Sequence, residues 1–330
     1  MHTNILTSHL PFAQKSRMAR IEAIGWLCFA LALITGSTAT PFSKQMSGVF
    51  SPFSMVFVSE FATLIFIVLS FGVVPLMSKV FSINRHSVLP LLGFSLMNSV
   101  LGPLLIFTGM RTTSAVNAEL FMKSETVFLL LFAGTFLNER IRQEHVLAAT
   151  VVIAGIIVIA LHGFTEQVGI TRGDLFILAS GAVYALGVMF AKKSVKDVHP
   201  EVALFFRGMV ALSFFFLSSP FLHHTFVEEL AAFPADLLAP AVGYAFVSCF
   251  LYLFCFYEAV ERLDTRIISI GIPMISIGSI LLSHFYLGEP LFWYDLVGAS
   301  MIVGGAIIME KADTSKEKNQ VPHYSRQRQI

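Results

Sequence analysis

Ionisable side chains inside long apolar runs are where this chain could do chemistry. The stretch "ELFMKSETVFLLLFAGTFLNER" (residues 119–140) suits hydrocarbon, yet its first turns carry Glu119, Lys123 and Glu125. A charge at the bilayer centre costs about 2.5–3.5 kcal/mol on insertion scales, so such residues pair with one another or line a polar path. Glu119 and Lys123 are four positions apart and share a helical face with Thr126. Glu125 points about 120° away from Glu119 on a helix, and Ser114 and Asn117 lean toward that second side. Two uses stay open for the set. Lys123 meets a substrate carboxylate while a glutamate meets an amine or a proton, or the charges neutralise one another between helices.

Other apolar runs carry single charges. Arg207 lies in "ALFFRGMVAL" and Glu60 in "FVSEFATL". Each is a binding or gating charge, or else Arg207 snorkels to the membrane surface or pairs with a neighbouring carboxylate. Glu258, in "FCFYEAVER", is close enough to a helix end to snorkel. His284 near another helix end is a proton relay or merely hydrogen-bonded. Asn98, Asn117 and Ser248 are donors to a cavity or to a neighbouring helix. Glu139 and Glu289 each follow an apolar run, where a carboxylate would bind backbone N–H groups at the start of the next helix. Of the aromatic residues, Phe107, Tyr184, Tyr252 and Tyr257 are those that could stack on a solute.

The elements that must hold these residues are membrane helices. Hydrophobic residues make up 55% of the 330, charged residues only 13%, and mean hydropathy is +0.76, against roughly 25% charged in soluble domains. A spanning helix takes about 20 apolar residues. Ten segments qualify, near 21–43, 52–75, 88–110, 113–137, 145–163, 173–192, 200–220, 239–260, 265–287 and 291–310. With the N-terminus placed in the cytoplasm, 17 of the 22 Lys and Arg fall on inner segments and three on outer ones. That asymmetry predicts both termini cytoplasmic in the cell (inner) membrane. The tail 1–20 is polar and holds Lys15, Arg17 and Arg20; the apolar run after it is too long for a signal-peptide core. The tail 311–330 is also polar. A net charge of +1 gives no field for nucleic acid. The cysteines Cys28, Cys249 and Cys255 sit in apolar runs with no metal or disulfide spacing, and no cofactor motif occurs.

The chain is written twice. Shifted by about 150 residues, "TFLNERIRQEHVLAATVVIAGIIVIA" lies on "FYLGEPLFWYDLVGASMIVGGAIIME", with Glu139 on Glu289 and Gly155 on Gly305. Nearer the start a shift of about 148 puts Lys44 on Lys192 and Pro52 on Pro200. Asn98 falls on Ser248. Five spans per half is an odd number, so the second half enters the membrane from the opposite face. The expected fold is all-α and polytopic, ten transmembrane helices as two inverted five-helix repeats over 21–163 and 173–310. This layout is typical of carriers with a midplane site between repeats.

The blocks "TSAVNAEL…FLNER…AATVVIAGIIV" and "DTRIISIGIP…YLGEP…VGASMIVGGAII" resemble the drug/metabolite transporter superfamily, in particular its EamA-type ten-helix members. The resemblance covers roughly residues 21–310. It implies ten helices around a central cavity and transport of small metabolites, often export. That family usually has proline at the position of Lys123 in both halves; here only the second half keeps it, as Pro273, so lysine exchanges a kink for a charge. The expected activity is alternating-access movement of a small polar or zwitterionic, amino-acid-like metabolite, with protons as a coupling partner. The alternatives are an importer or exchanger of another organic metabolite, and a membrane-embedded enzyme acting on a lipid-linked substrate. The nearest catalytic cluster for an enzyme is "FLHHTFVEEL", and a solvated loop explains it as well. The expected protein is therefore not an enzyme. Its cavity residues are Glu60, Asn98, Asn117, Glu119, Lys123, Glu125, Arg207, Glu258 and Pro273. Its partners are the solute, the lipid bilayer, protons and a second copy in a homodimer, with no nucleic acid, metal or cofactor.

Overall fold

The structure, a computed structural model, describes residues 12–136, 143–164, 170–194, 198–221, 226–263 and 265–320. In the first half, α1 runs Phe12–Ser37 and resumes as Ala39–Met46, and α2 is Pro52–Phe71. Helix α3 comprises Arg85–Leu96, a π-helical segment Met97–Leu101 and Gly102–Met110. Helix α4 comprises Ala115–Met122 and Ser124–Phe136, and α5 is Gln143–Ala160. In the second half, α6 is Arg172–Ser194 and α7 is Pro200–Ser218. Helix α8 comprises Leu238–Val242, a π-helical Gly243–Leu251 and Tyr252–Arg262; α9 is Thr265–Leu287 and α10 is Trp293–Gln320. Among the described residues, seven segments are long and apolar enough alone to cross a bilayer. Helices α9 and α10 are apolar over Gly271–Leu287 and Trp293–Met309, and α4 makes its crossing in two pieces. The ten helices form two inverted five-helix repeats. The face where α1 begins and α10 ends is here the terminal face; the opposite one is the far face.

Local chemistry sets the helix ends. Ser51 caps α2, its hydroxyl accepting from Ser54 N–H at 3.3 Å with Pro52 in the first turn. Asn84 caps α3 and Ser114 caps α4 in the same way. Gly72, at φ +77°, ends α2 in a backbone conformation that a side chain would strain. Large apolar side chains such as Leu69, Phe216, Leu217 and Phe285 are exposed, as suits a molecule whose solvent is lipid.

The packing is an interlock of the two repeats. Helix α1 lies on α8 and α9, whereas α6 lies on α3 and α4. Helix α2 packs on α7, and α5 on α10. The closing helices therefore meet inside one molecule. At their crossing a Cβ on Gly155 would stand 2.8 Å from the Gly298 carbonyl, so only glycine lets the two backbones approach so closely.

The structure corrects one expectation about kinks. Helix α9 runs unbroken through Pro273, while the break falls in α4, at Lys123. There the Lys123 N–H turns to the Leu120 carbonyl and Thr126 N–H to the Lys123 carbonyl, both at 3.2 Å, tightening the chain by one residue per bond. Ser124 then packs directly against Gly181 of α6. Close approach to α6, rather than a missing N–H, accompanies the interruption.

Candidate functional site

Among the described residues, two ion pairs lie deep within the helical bundle. The first is local. Lys123 Nζ stands 3.3 Å from Glu119 Oε1, and Glu119 Oε2 accepts a 2.6 Å hydrogen bond from Thr40 of α1. Ser276 of α9 is buried close to the same carboxylate without a well-formed bond to it. Thr40 of α1 and Lys123 of α4, both in the first half, thus satisfy Glu119, and both its oxygens are used.

The second pair joins the repeats. Arg207 Nη2 of α7 approaches Glu60 Oε1 of α2 at 3.7 Å, within reach of attraction but too long for a hydrogen bond. Glu60 Oε2 and Arg207 Nε are buried and make no well-formed hydrogen bond among the described residues, nor does Ser99 Oγ, which stands close to the Glu60 carboxylate; Asn98 Oδ1, on the neighbouring residue and against Gly187 of α6, is likewise without one. Each buried, unsatisfied group costs about 1–3 kcal/mol, more if charged, so a cluster of them marks a place built for something else to bind. Tyr184 of α6 is half-buried within the fields of Glu60, Arg207 and Glu125, and Tyr257 of α8 is close to Arg207. Tyr244 of α8 sits between Cys249 and Ser59 and also neighbours Tyr184. Tyr184 therefore links the Glu60–Arg207 pair to Glu125, which in turn lies in the field of Lys123.

The helix irregularities explain how these groups meet. The π-helical turn of α3 presents Asn98 to α6, where Gly187 leaves room for its side chain. At the matching place in α8 the π-helical turn presents Ser248 to Thr38 of α1, hydroxyl to hydroxyl at 2.7 Å. Such bulges re-aim side chains and frequently occur at functional sites. Lys123 and Arg207 are 29% and 22% accessible while their carboxylate partners are each 7%. A partly accessible charge at this depth calls for polar surroundings, since hydrocarbon would not solvate it.

The remaining candidates fall elsewhere. Glu258 pairs with Arg262 one turn away at 2.5 Å, at the terminal-face end of α8. Asn117 is half-buried in the first turn of α4 and gives its backbone N–H to Ser114. Pro273 is buried in α9, one turn before Ser276. His284 contacts the Glu289 carbonyl through Nδ1 at 2.7 Å. Glu139 lies outside the described residues. Glu289 does bind backbone N–H groups, but those of Ala115 and Val116 on α4 of the other repeat, at 2.7 and 3.0 Å; the start of its own next helix, α10, is capped by Asp295. Thr40, Ser99, Ser276 and Tyr244 escape a sequence scan, because hydroxyls in apolar helices are common and nothing in their spacing sets them apart.

Inverted repeats, helix irregularities at matching depth and an unfinished charge pair between the halves define a multi-pass membrane protein of the carrier class. The chain belongs to the EamA-like transporter family, whose model matches it twice, at residues 23–161 and 171–310. It is a transporter of the drug/metabolite type. Similar curated proteins include an "Uncharacterized transporter" of Methanothermobacter thermautotrophicus, 23% identical over 69% of this chain. That alignment spans 66% of the relative's own length, just under two thirds. "Uncharacterized transporter YyaM" of Bacillus subtilis is 20% identical, covering 68% of this chain and 72% of that one. One solved crystal structure shares the fold, with a TM-score of 0.54 at 17% identity over 92% of this chain and 99% of its own.

Proposed function

We propose that the chain is a secondary carrier that exports a small zwitterionic, amino-acid-like metabolite across the cell membrane by alternating access, its termini in the cytoplasm. The observation that carries this is the Glu60–Arg207 pair. It spans the repeat interface, it is long, and each partner keeps a buried polar atom unused. A solute carboxylate would satisfy the Arg207 guanidinium in a charge-assisted contact, and its ammonium would satisfy Glu60. Asn98, Ser99 and Tyr184 would complete the polar shell. Glu125, half-buried on the other side of Tyr184, is the carboxylate that takes a coupling proton. Glu119 and Lys123 serve the helix they occupy. The bias of Lys and Arg toward the terminal face supports a cytoplasmic location for it.

Flux into proteoliposomes from a panel of amino acids, dicarboxylates, amines and sugars tests this. Saturable movement of zwitterions, lost in Arg207→Gln, is the expected outcome. Movement of sugars or amines alone, or full flux in Arg207→Gln, would sink the proposal.

A further inference from the structure

The far face is closed by polar contacts around the turn between α3 and α4. Lys44, at the end of α1, donates from Nζ to the Met110 carbonyl at 2.5 Å and the Thr113 carbonyl at 2.6 Å. Glu289, in the loop after α9, accepts from the Ala115 and Val116 N–H groups. A cation thus holds the carbonyl end of α3 and an anion holds the amide end of α4, each matched to the helix terminus it meets. The two charges lie in each other's field. Of these two, the Glu289 contact crosses between repeats; Tyr286 to Gln45 at 3.0 Å also crosses nearby, and Thr113 in the same turn donates from its hydroxyl to Asp174 of α6. Further round the same face, Glu229 accepts from the Ser51 N–H at 3.1 Å, and Phe50 stacks on Phe226 and Phe233.

The first piece of α4 is held at both ends in different ways. At Ala115 and Val116 it is latched by Glu289 from the opposite repeat. At Lys123 its helix is interrupted, a ready hinge. Between them it carries Glu119, which is tied to Thr40 of α1. We infer that Ala115–Met122 is the far-face gate of this carrier, with Lys44 and Glu289 as its latch and Lys123 as its hinge. In the state seen here the gate is shut. Releasing Glu289 lets the segment swing about Lys123 and opens the far face toward Tyr184, Glu60 and Arg207. The inference rests on the chain being an alternating-access carrier and not on the nature of its solute.

Accessibility reports the gate without any solute. Ala118 is fully buried on this segment. In a background with Cys28, Cys249 and Cys255 replaced by serine, Ala118→Cys is labelled from the far side with a membrane-impermeant maleimide. Lys44→Met together with Glu289→Gln raises labelling about tenfold, within the usual range of coupling between a latch and the state it stabilises; Lys44→Arg leaves it low. Unchanged labelling in a double variant that elutes and melts like the parent overturns the inference. Hydrogen exchange on the unmodified protein gives an independent arm. Residues 115–122 exchange as one unit and faster than 124–136; equal protection across Lys123 also overturns it. Neither readout depends on flux, so its failure is distinct from failure of the zwitterion proposal.

Discussion

Glu119–Lys123 and Glu60–Arg207 are both buried carboxylate–cation pairs, and their surroundings differ in kind. In the first, partners four residues apart on one helix are set by helix geometry, and Thr40 uses the carboxylate oxygen that Lys123 leaves free. In the second, partners from α2 and α7 meet only because the repeats interlock, at a distance that leaves Glu60 Oε2 and Arg207 Nε unused. A satisfied pair stabilises the helix that carries it. An unsatisfied one holds binding capacity in reserve for a solute. Charge inside the membrane is therefore not itself the mark of a site; unspent hydrogen-bonding capacity is.

The largest test of this contrast is removal of Arg207. Arg207→Gln should reduce zwitterion flux by about a hundredfold or more, since a lost charge-assisted contact and an orphaned Glu60 carboxylate together cost about 3–5 kcal/mol. Adding Glu60→Gln should restore thermal stability and leave flux absent. Recovery of flux in the double variant would break the comparison. In the other pair, Lys123→Met should destabilise by about 3 kcal/mol because it strands the Glu119 carboxylate. Lys123→Met with Glu119→Gln should regain most of that, as read by thermal melting, and retain flux within about threefold. Flux as low as in Arg207→Gln would show the two pairs to be equivalent.

A smaller effect sharpens the site itself. Gly187→Ala should displace Asn98 from its place against α6, costing about 1–3 kcal/mol by overpacking and raising the KM more than it lowers the kcat. A purely structural role would lower stability and leave the KM alone. The least effect is expected at Glu258→Gln, which removes a local pair at a helix end; melting should move by about 0.5 kcal/mol equivalent or less, with unchanged flux.

Much of this was legible in the chain. The ten apolar runs, the repeat offset and the odd number of spans per half lead directly to two inverted repeats, because hydrophobic length and self-similarity are local properties. The candidates Glu60, Arg207, Lys123, Glu119 and Glu125 stand out because charge in an apolar run is itself a local signal. Partnership is not local. Nothing near Glu119 announces Thr40, 79 positions away, and nothing near Glu289 announces the α4 terminus of the other half. The break at Lys123 escaped for a related reason. A proline rule looks at one residue's missing N–H, whereas this interruption coincides with the close seat of Ser124 on Gly181. Asn98 and Ser248 were visible as repeat partners; the π-helical turns that aim them across the bundle were not.

The interlock of the repeats has a consequence for how the molecule comes into being. All five helices of the first half, α1 to α5, find a main neighbour in the half that is made second. A chain threaded into the bilayer one helix at a time holds five helices whose inward faces wait, with the Glu60 carboxylate unanswered until α7 arrives. The first half is then an unfinished surface rather than a domain. Assembly must end in a late, concerted closing of one comb of helices through the other, and a truncated product would leave its charges in the lipid for the cell's quality control to find.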